Sequence, residues 1–226
     1  MEERVVLNRS FKASVVTLTL FILIAVFVSP KASFNSNSPI LRLDYSAFLD
    51  VNNAHSHTFN KVMIWFTKFG RDLFWPIAMI LLFVLGGWTG KKTAVVIAIS
   101  MLVLIPLGEL AKDIVARPRP AIPASDFLIS ADKEYAFPSG HAIIVSAGAA
   151  GALMLFRGTP RRLAVSIILA IEAALVCLSR IYVGGHYPLD VIGGILLGVG
   201  VSLIFIGLER RIESLITPIV KKILKR

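Results

Sequence analysis

Residues 93–110 read TAVVIAISMLVLIPLGEL, and residues 111–120 continue AKDIVARPRP. The first stretch holds one charge, Glu109, and approaches the roughly 20 residues that a helix needs to cross a bilayer's hydrocarbon core. The second places Lys112, Arg117 and Arg119 directly beyond it. An apolar run that ends in a cluster of cations marks a membrane-spanning helix meeting a polar face. If that face is cytoplasmic, the cations are anchors for the helix end; if it is the outer face, they need another reason to be there.

Working outward, five more runs of this kind are found: Phe11–Val28, Leu73–Trp88, Ser139–Phe156, Leu163–Leu178 and Leu189–Leu208. Leu73–Trp88 and Leu163–Leu178 are short and are completed by flanking residues or by modest bilayer mismatch. Of the 226 residues 56% are hydrophobic and only 17% charged, with a mean hydropathy of +0.76. A water-soluble domain of this size has too little polar surface to cover so much apolar side chain. The expected fold is therefore all-α, a six-helix transmembrane bundle, with residues 1–226 forming one domain.

Two segments lie outside these runs. Between residues 30 and 71, Phe48, Val51, Phe59, Val62, Met63, Trp65 and Phe66 alternate with polar groups, which predicts one or two interfacial helices on the outer side. His55 and His57 in this segment read as solvated loop histidines, since their spacing does not align two ligands on a helix. The tail, 209–226, mixes apolar and basic residues and reads as a helix on the cytoplasmic headgroups. The first run follows Arg4, Arg9 and Lys12 without a clear small-residue cleavage site and reads as a retained helix.

The formal charge of +10 does not signal nucleic acid, because the cations border apolar runs and no aromatic-basic recognition pattern accompanies them. Six crossings put both termini on one side with the short basic turns at Lys91–Lys92 and Arg157–Arg162, which makes that side cytoplasmic. The longer segments on the other side also carry Asp44, Asp50, Asp72, Asp113, Asp126, Asp132 and Glu134. The cations at 112–119 then face outward. The one cysteine, Cys177, excludes an intrachain disulfide.

Three clusters carry chemistry. Pro138-Ser139-Gly140-His141 stands where a polar loop enters the fourth run. Ser139 suits an N-cap, and the first N–H groups of the helix can receive an anion. Ser179-Arg180 precedes Gly184-Gly185-His186-Tyr187-Pro188-Leu189-Asp190. A helix starting near Tyr187 sets His186 and Asp190 one turn apart. The carboxylate can then accept one imidazole proton and leave the other nitrogen nucleophilic. Lys112, Arg117 and Arg119 form the third cluster. Glu109, three residues before Lys112, reads as its ion-pair partner inside the bundle. Glu172 sits in the fifth run with no partner visible in the sequence. Arg117 reads either as a secondary headgroup contact or as a mere neighbour of the cluster.

Together the clusters resemble the signature of the type 2 phosphatidic acid phosphatase superfamily, or lipid phosphate phosphatases. KxxxxxxRP is met by Lys112, Arg119 and Pro120; PSGH by Pro138 to His141; SRxxxxxHxxxD by Ser179, Arg180, His186 and Asp190. The resemblance spans residues 112–190 and implies a haloperoxidase-like helical core. It also implies a phosphatase acting on phosphatidic acid, phosphatidylglycerol phosphate or a polyprenyl diphosphate in a multi-pass cell-membrane protein. His186 would attack phosphorus and form a phosphohistidine, Asp190 would orient it, and His141 would protonate the leaving group and then activate water. Lys112, Arg119, Ser139, Gly140 and Arg180 would hold the phosphate. No cofactor or metal is implied, and the nearby acids show no metal-ligand spacing. The soluble vanadium haloperoxidases of the same superfamily do not fit the apolar crossings. A lipid-phosphate transferase, revealed by acceptor dependence, and a non-catalytic lipid transporter or binding protein are the alternatives. A transporter is expected to show broken helices and internal repeats, which the sequence lacks.

Overall fold

The computed structural model describes residues 2–32, 38–122, 128–129 and 134–224, with side-chain placement described from residue 9 to residue 218. Asp126, Asp132 and Lys133 lie outside the described residues. Among those described, all regular structure is helical. In chain order come α1 (Glu2–Val28), α2 (Pro39–Asn52), α3 (His57–Trp65), a π-helical stretch (Phe66–Phe74), α4 (Trp75–Leu85), α5 (Gly87–Val115), α6 (Gly140–Leu155), α7 (Pro160–Tyr182), α8 (Pro188–Gly207) and α9 (Glu209–Leu224). Four spans among the described residues are long and apolar enough to cross a membrane: Arg9–Val28, Gly87–Val115, Pro160–Tyr182 and Pro188–Gly207; Gly140–Leu155 is apolar but shorter.

The second apolar run departs from its expected limits. Its helix stops at Leu85 instead of reaching Trp88, because Gly86 and Gly87 make a tight reversal with Gly87 at φ +63°, a conformation that glycine adopts without a Cβ penalty. Trp88 therefore belongs to α5. At the other end α4 continues back without a break through the π-helical stretch into α3, so residues 57–85 form one helical run. The segment between residues 30 and 71 contains α2 and α3, two helices where one or two were expected.

α6 and α8 form the centre: α8 packs on α1 and α6, α6 packs on α7 and α5, and α5 lies against α4. Small residues make this close approach possible, as in many membrane bundles. A Cβ at Gly198 would collide with the Ile143 carbonyl oxygen and Ser146 Oγ, and one at Gly148 would enter the Trp75 ring. Trp75 in turn donates from Nε1 to Glu172 Oε2 at 2.8 Å, which supplies the partner that the sequence did not reveal. Facing outward, Ile22 and Leu23 on α1, Leu81 and Val84 on α4, Leu102 and Ile105 on α5, and Ile168 and Ile171 on α7 are exposed. An outward surface this apolar fits a hydrocarbon environment.

The collision at Gly198 is with main chain, which cannot rotate away. Gly198→Ala is therefore expected to cost about 1–3 kcal/mol through overpacking and to lower the unfolding midpoint in detergent. An unchanged midpoint would show that α6 and α8 separate without penalty.

Candidate active site

All three sequence clusters, with several residues outside them, meet at one end of the bundle. Helix α5 ends at Ala116, a left-handed residue at φ 55° whose N–H returns to the Lys112 carbonyl at 2.8 Å. Later in the chain the Ala136 N–H donates to the Arg117 carbonyl at 2.8 Å. Phe137 is fully buried, stacked on Phe21 with ring centroids 5.6 Å apart. This contact anchors the loop just before the Pro138–His141 motif. On the other side α7 closes through Gly184 at φ 89°, and both the Gly185 and His186 N–H groups donate to the Arg180 carbonyl, at 3.1 and 3.2 Å. The turn folds His186 back over the end of α7, beside the start of α8.

His186 is almost fully buried. Its Nδ1 lies 2.8 Å from the Ala136 carbonyl oxygen, and since a carbonyl only accepts, Nδ1 carries the proton and Nε2 presents its lone pair. Arg119 Nη1 donates to that Nε2 at 3.1 Å and to the Gly185 carbonyl at 2.7 Å. Here the structure corrects the local reading of the motif. Asp190 Oδ2 stands 3.7 Å from His186 Nδ1, too long for a hydrogen bond. The main-chain carbonyl of Ala136, and not the carboxylate, selects the tautomer. Asp190, 0% exposed, instead accepts from the Tyr187 N–H at 2.9 Å and from Arg117 Nη1 at 2.7 Å.

Arg117 is thus neither a headgroup contact nor a bystander. It is buried, donates from Nη2 to Asp44 Oδ2 at 2.6 Å, and lies over the Tyr187 ring at 4.2 Å. Asp44, on α2, also accepts from the Leu189 N–H at 2.8 Å, and so caps the first turn of α8 from another helix. Burial pushes the Asp44 carboxyl above its ordinary range, against the pull of Arg117. Burial works against the Arg117 guanidinium as well, but Asp190 and Asp44 outweigh it and hold its pKa above the usual value.

Ser139 takes the N-cap position of α6 but makes no capping bond. Its hydroxyl, 0% exposed, has no hydrogen-bond partner among the described residues. A buried hydroxyl in that state is expensive unless a ligand satisfies it. Next to it, Lys112 Nζ and Arg71 Nη1 each lie 3.8 Å from where a Gly140 Cβ would stand. Lys112 is paired with Glu109 at 2.8 Å, as the spacing predicts, and with Glu134. Arg180 Nη1 donates to Thr67 Oγ1 at 3.0 Å. The His141 ring hydrogen-bonds the Thr67 main chain, with Arg180, Arg71 and His186 in electrostatic reach. Beside this polar end a groove of about 630 Å³ runs between α4 and α5, from Arg71, Lys112 and Gly140 to Met101, Leu104 and Ile105.

Every residue proposed from the motifs therefore lies at this end, while Arg71, Asp44, Thr67 and Ala136 were missed. Asp44 was read only as one of the acids on the outer side, and no local pattern marks Arg71, Thr67 or Ala136. Of the histidines read as solvated, His57 is exposed, but His55 is half-buried with Nε2 2.8 Å from the Tyr182 carbonyl oxygen. It ties the connection between α2 and α3 to the end of α7. Among the described residues no group of three or more His, Cys, Asp or Glu side chains is placed to hold a metal ion.

The sequence profile of the PAP2 superfamily matches residues 91–213, a range containing every motif residue. Undecaprenyl-diphosphatase of Sulfolobus acidocaldarius is 32% identical over 197 residues, 86% of this chain and 90% of that protein. Sphingosine-1-phosphate phosphatase 1 of Rattus norvegicus is 33% identical over 66% of this chain, which spans only 34% of that protein. The crystal structure of a PAP2-type phosphatidylglycerolphosphate phosphatase from Bacillus subtilis superposes with a TM-score of 0.67, covering 88% of this chain and 96% of that one. At 23% identity that likeness speaks for the fold alone.

Proposed function

The chain belongs to the PAP2 superfamily and is a lipid phosphatase, and from that premise we propose that it hydrolyses a polyprenyl diphosphate through a phosphohistidine at the outer face of a cell membrane. The observation that carries the reading is the state of His186, whose Nδ1 is committed to the Ala136 carbonyl so that Nε2 points its lone pair among the site's cations. Nε2 attacks the terminal phosphorus, and the bond to the bridging oxygen breaks. His141 gives its proton to the departing oxygen, then takes one from the water that hydrolyses the phosphohistidine. Lys112, Arg119 and Arg180, the Ser139 hydroxyl and the Gly140 N–H hold the non-bridging oxygens as charge redistributes. Asp190 keeps the start of α8, and with it His186, in place. These cations supply charge that divalent ions supply in other phosphoryl transfers. The choice of a polyprenyl diphosphate is supported by the relative that matches over nearly its whole length.

The test is phosphate release by detergent-purified protein in EDTA from undecaprenyl diphosphate, phosphatidic acid, phosphatidylglycerol phosphate and sphingosine 1-phosphate. Undecaprenyl diphosphate is expected to be cleaved fastest, with activity surviving chelation. A faster reaction with sphingosine 1-phosphate would move the assignment to single-chain monophosphates. Phosphate passed to an acceptor in place of water would make the protein a transferase.

The same proposal places one domain in the bilayer with six crossings: α1, the apolar end of the run 57–85 from Leu73 onward, α5, α6, α7 and α8. Both termini are cytoplasmic, the segment 30–71 covers the site outside, and the basic tail 209–226 lies on the inner headgroups. The two basic turns support this arrangement by meeting, Arg162 Nη1 donating to Thr89 Oγ1 at 3.1 Å. A cysteine in place of the exposed Ser46 on α2 is expected to react with an impermeant maleimide in intact cells. The native Cys177 is buried and stays silent. Labelling only after the cells are broken would reverse the orientation.

A further inference from the structure

Arg71 belongs to none of the motifs, yet its guanidinium is aimed into the site. Nε and Nη2 donate to the two carboxylate oxygens of Asp72, which fixes the plane of the group. The remaining Nη1 is directed at the centre, 3.5 Å from His141 Nδ1 and, like Lys112 Nζ, 3.8 Å from the Gly140 Cβ position. Its backbone lies in the π-helical stretch Phe66–Phe74. Such wider turns recur at functional sites because they re-aim side chains. Here the stretch carries Thr67, which meets His141 and Arg180, as well as Arg71.

We propose that Arg71 binds the inner phosphate of a lipid diphosphate, the one that leaves with the lipid, and thereby sets a preference for diphosphates over monophosphates. This rests on the reading of His186 as nucleophile and of the α4–α5 groove as the path of the lipid chain. The groove's polar mouth is formed by Arg71, Lys112 and Gly140, and its apolar part is lined by Met101, Leu104 and Ile143. A chain lying there enters the site past Arg71. With the terminal phosphorus at His186, the inner phosphate stands between His186 and the groove, beside Arg71 and His141. When the bond from the terminal phosphorus to the bridging oxygen breaks, its electron pair passes to that oxygen, and negative charge accumulates on the inner phosphate. A guanidinium there stabilises the transition state more than the bound substrate, which is what accelerates a reaction. A monophosphate leaves instead as an alcohol whose oxygen takes the His141 proton, and nothing in it occupies the Arg71 position.

The experiment compares farnesyl diphosphate with farnesyl monophosphate for the wild type, Arg71→Ala, Arg71→Lys and His186→Ala. Arg71→Ala is expected to lose about 30-fold in kcat/KM on the diphosphate, the scale of a charge-assisted hydrogen bond, and less than about threefold on the monophosphate, with Arg71→Lys recovering part of the loss. The ratio of the two substrates within one preparation is independent of the fraction folded. Inorganic pyrophosphate is likewise expected to inhibit Arg71→Ala about tenfold more weakly than the wild type, with inhibition by orthophosphate unchanged, a readout that does not need monophosphate turnover. Equal losses on both substrates, or an unaltered diphosphate rate and pyrophosphate inhibition, would overturn the proposal while leaving the His186 mechanism intact. Hydrolysis that persists in His186→Ala would instead remove the reading on which the proposal stands.

Discussion

Replacing His186 by alanine is expected to lower kcat for lipid phosphate hydrolysis at least about a thousandfold, because it removes the nucleophile and leaves only the binding groups to help water. The fold should survive, since losing the ring's bonds to the Ala136 carbonyl and to Arg119 leaves the main-chain bonds of the turn in place. The cations that Arg119 and Arg180 contribute stay held by other partners, the Gly185 carbonyl and Thr67. His141→Ala is expected to behave differently. It slows hydrolysis of the intermediate more than its formation from a diphosphate, whose phosphate leaving group needs little proton assistance. Label from a terminally ³²P-labelled diphosphate is therefore expected to stay on His141→Ala protein after an alkaline quench, which preserves a phosphorus–nitrogen bond, and to be absent from His186→Ala. Label retained by His186→Ala would transfer the role of nucleophile to another residue.

The second large effect is structural. Arg117 joins Asp44 of α2 to Asp190 of α8 at 2.6 and 2.7 Å, with side-chain exposures of 8%, 2% and 0% for Arg117, Asp44 and Asp190. Arg117→Ala leaves two buried carboxylates without their shared cation and is expected to cost about 3–5 kcal/mol, the usual consequence of breaking a buried pair from one side. Asp44→Asn is expected to cost only about 1–2 kcal/mol, because the amide oxygen can still accept from the Leu189 N–H and Arg117 keeps Asp190. The pH dependence follows in sign. Burial already raises the folded-state pKa of Asp44 above its ordinary value, and loss of Arg117 raises it further. A group raised in this way contributes stability that is present below its unfolded pKa and lost as pH rises through its folded pKa. The deficit of Arg117→Ala should therefore be full at neutral pH and shrink as the solution is acidified. Thermal unfolding in detergent across pH checks this; a deficit that grows with acid would mean that the carboxylates are not what Arg117 holds.

The reading of Asp190 shows where motif logic stops. Spacing alone put its carboxylate against His186, and the residues are indeed one helical turn apart, yet the ring proton goes to Ala136, fifty residues earlier in the chain. No periodicity encodes that bond, because it exists only once Ala136 has been brought against Arg117 and Phe137 has been buried. Arg117 was equally opaque: next to a motif it looked peripheral, and its role depends on Asp44, 73 residues before it, meeting Asp190, 73 residues after it. The end of α4 at Leu85 was missed for a different reason, since a glycine pair inside an apolar stretch reads as helix until Gly87 takes its left-handed conformation.

The sequence by itself determined that this chain is helical and apolar enough for a membrane and which histidines, cations and carboxylate form the candidate centre. The first follows from composition and from runs of apolar residues, where local physics decides; the second comes from short-range spacings together with the resemblance to a family signature. Only the tertiary structure decided which atom of His186 points at the site, what Asp190 and Arg117 hold, and that Arg71 enters the site from a π-helical stretch. Those depend on groups brought together from distant parts of the chain, and their energies come from burial and direction, neither of which exists before the helices pack.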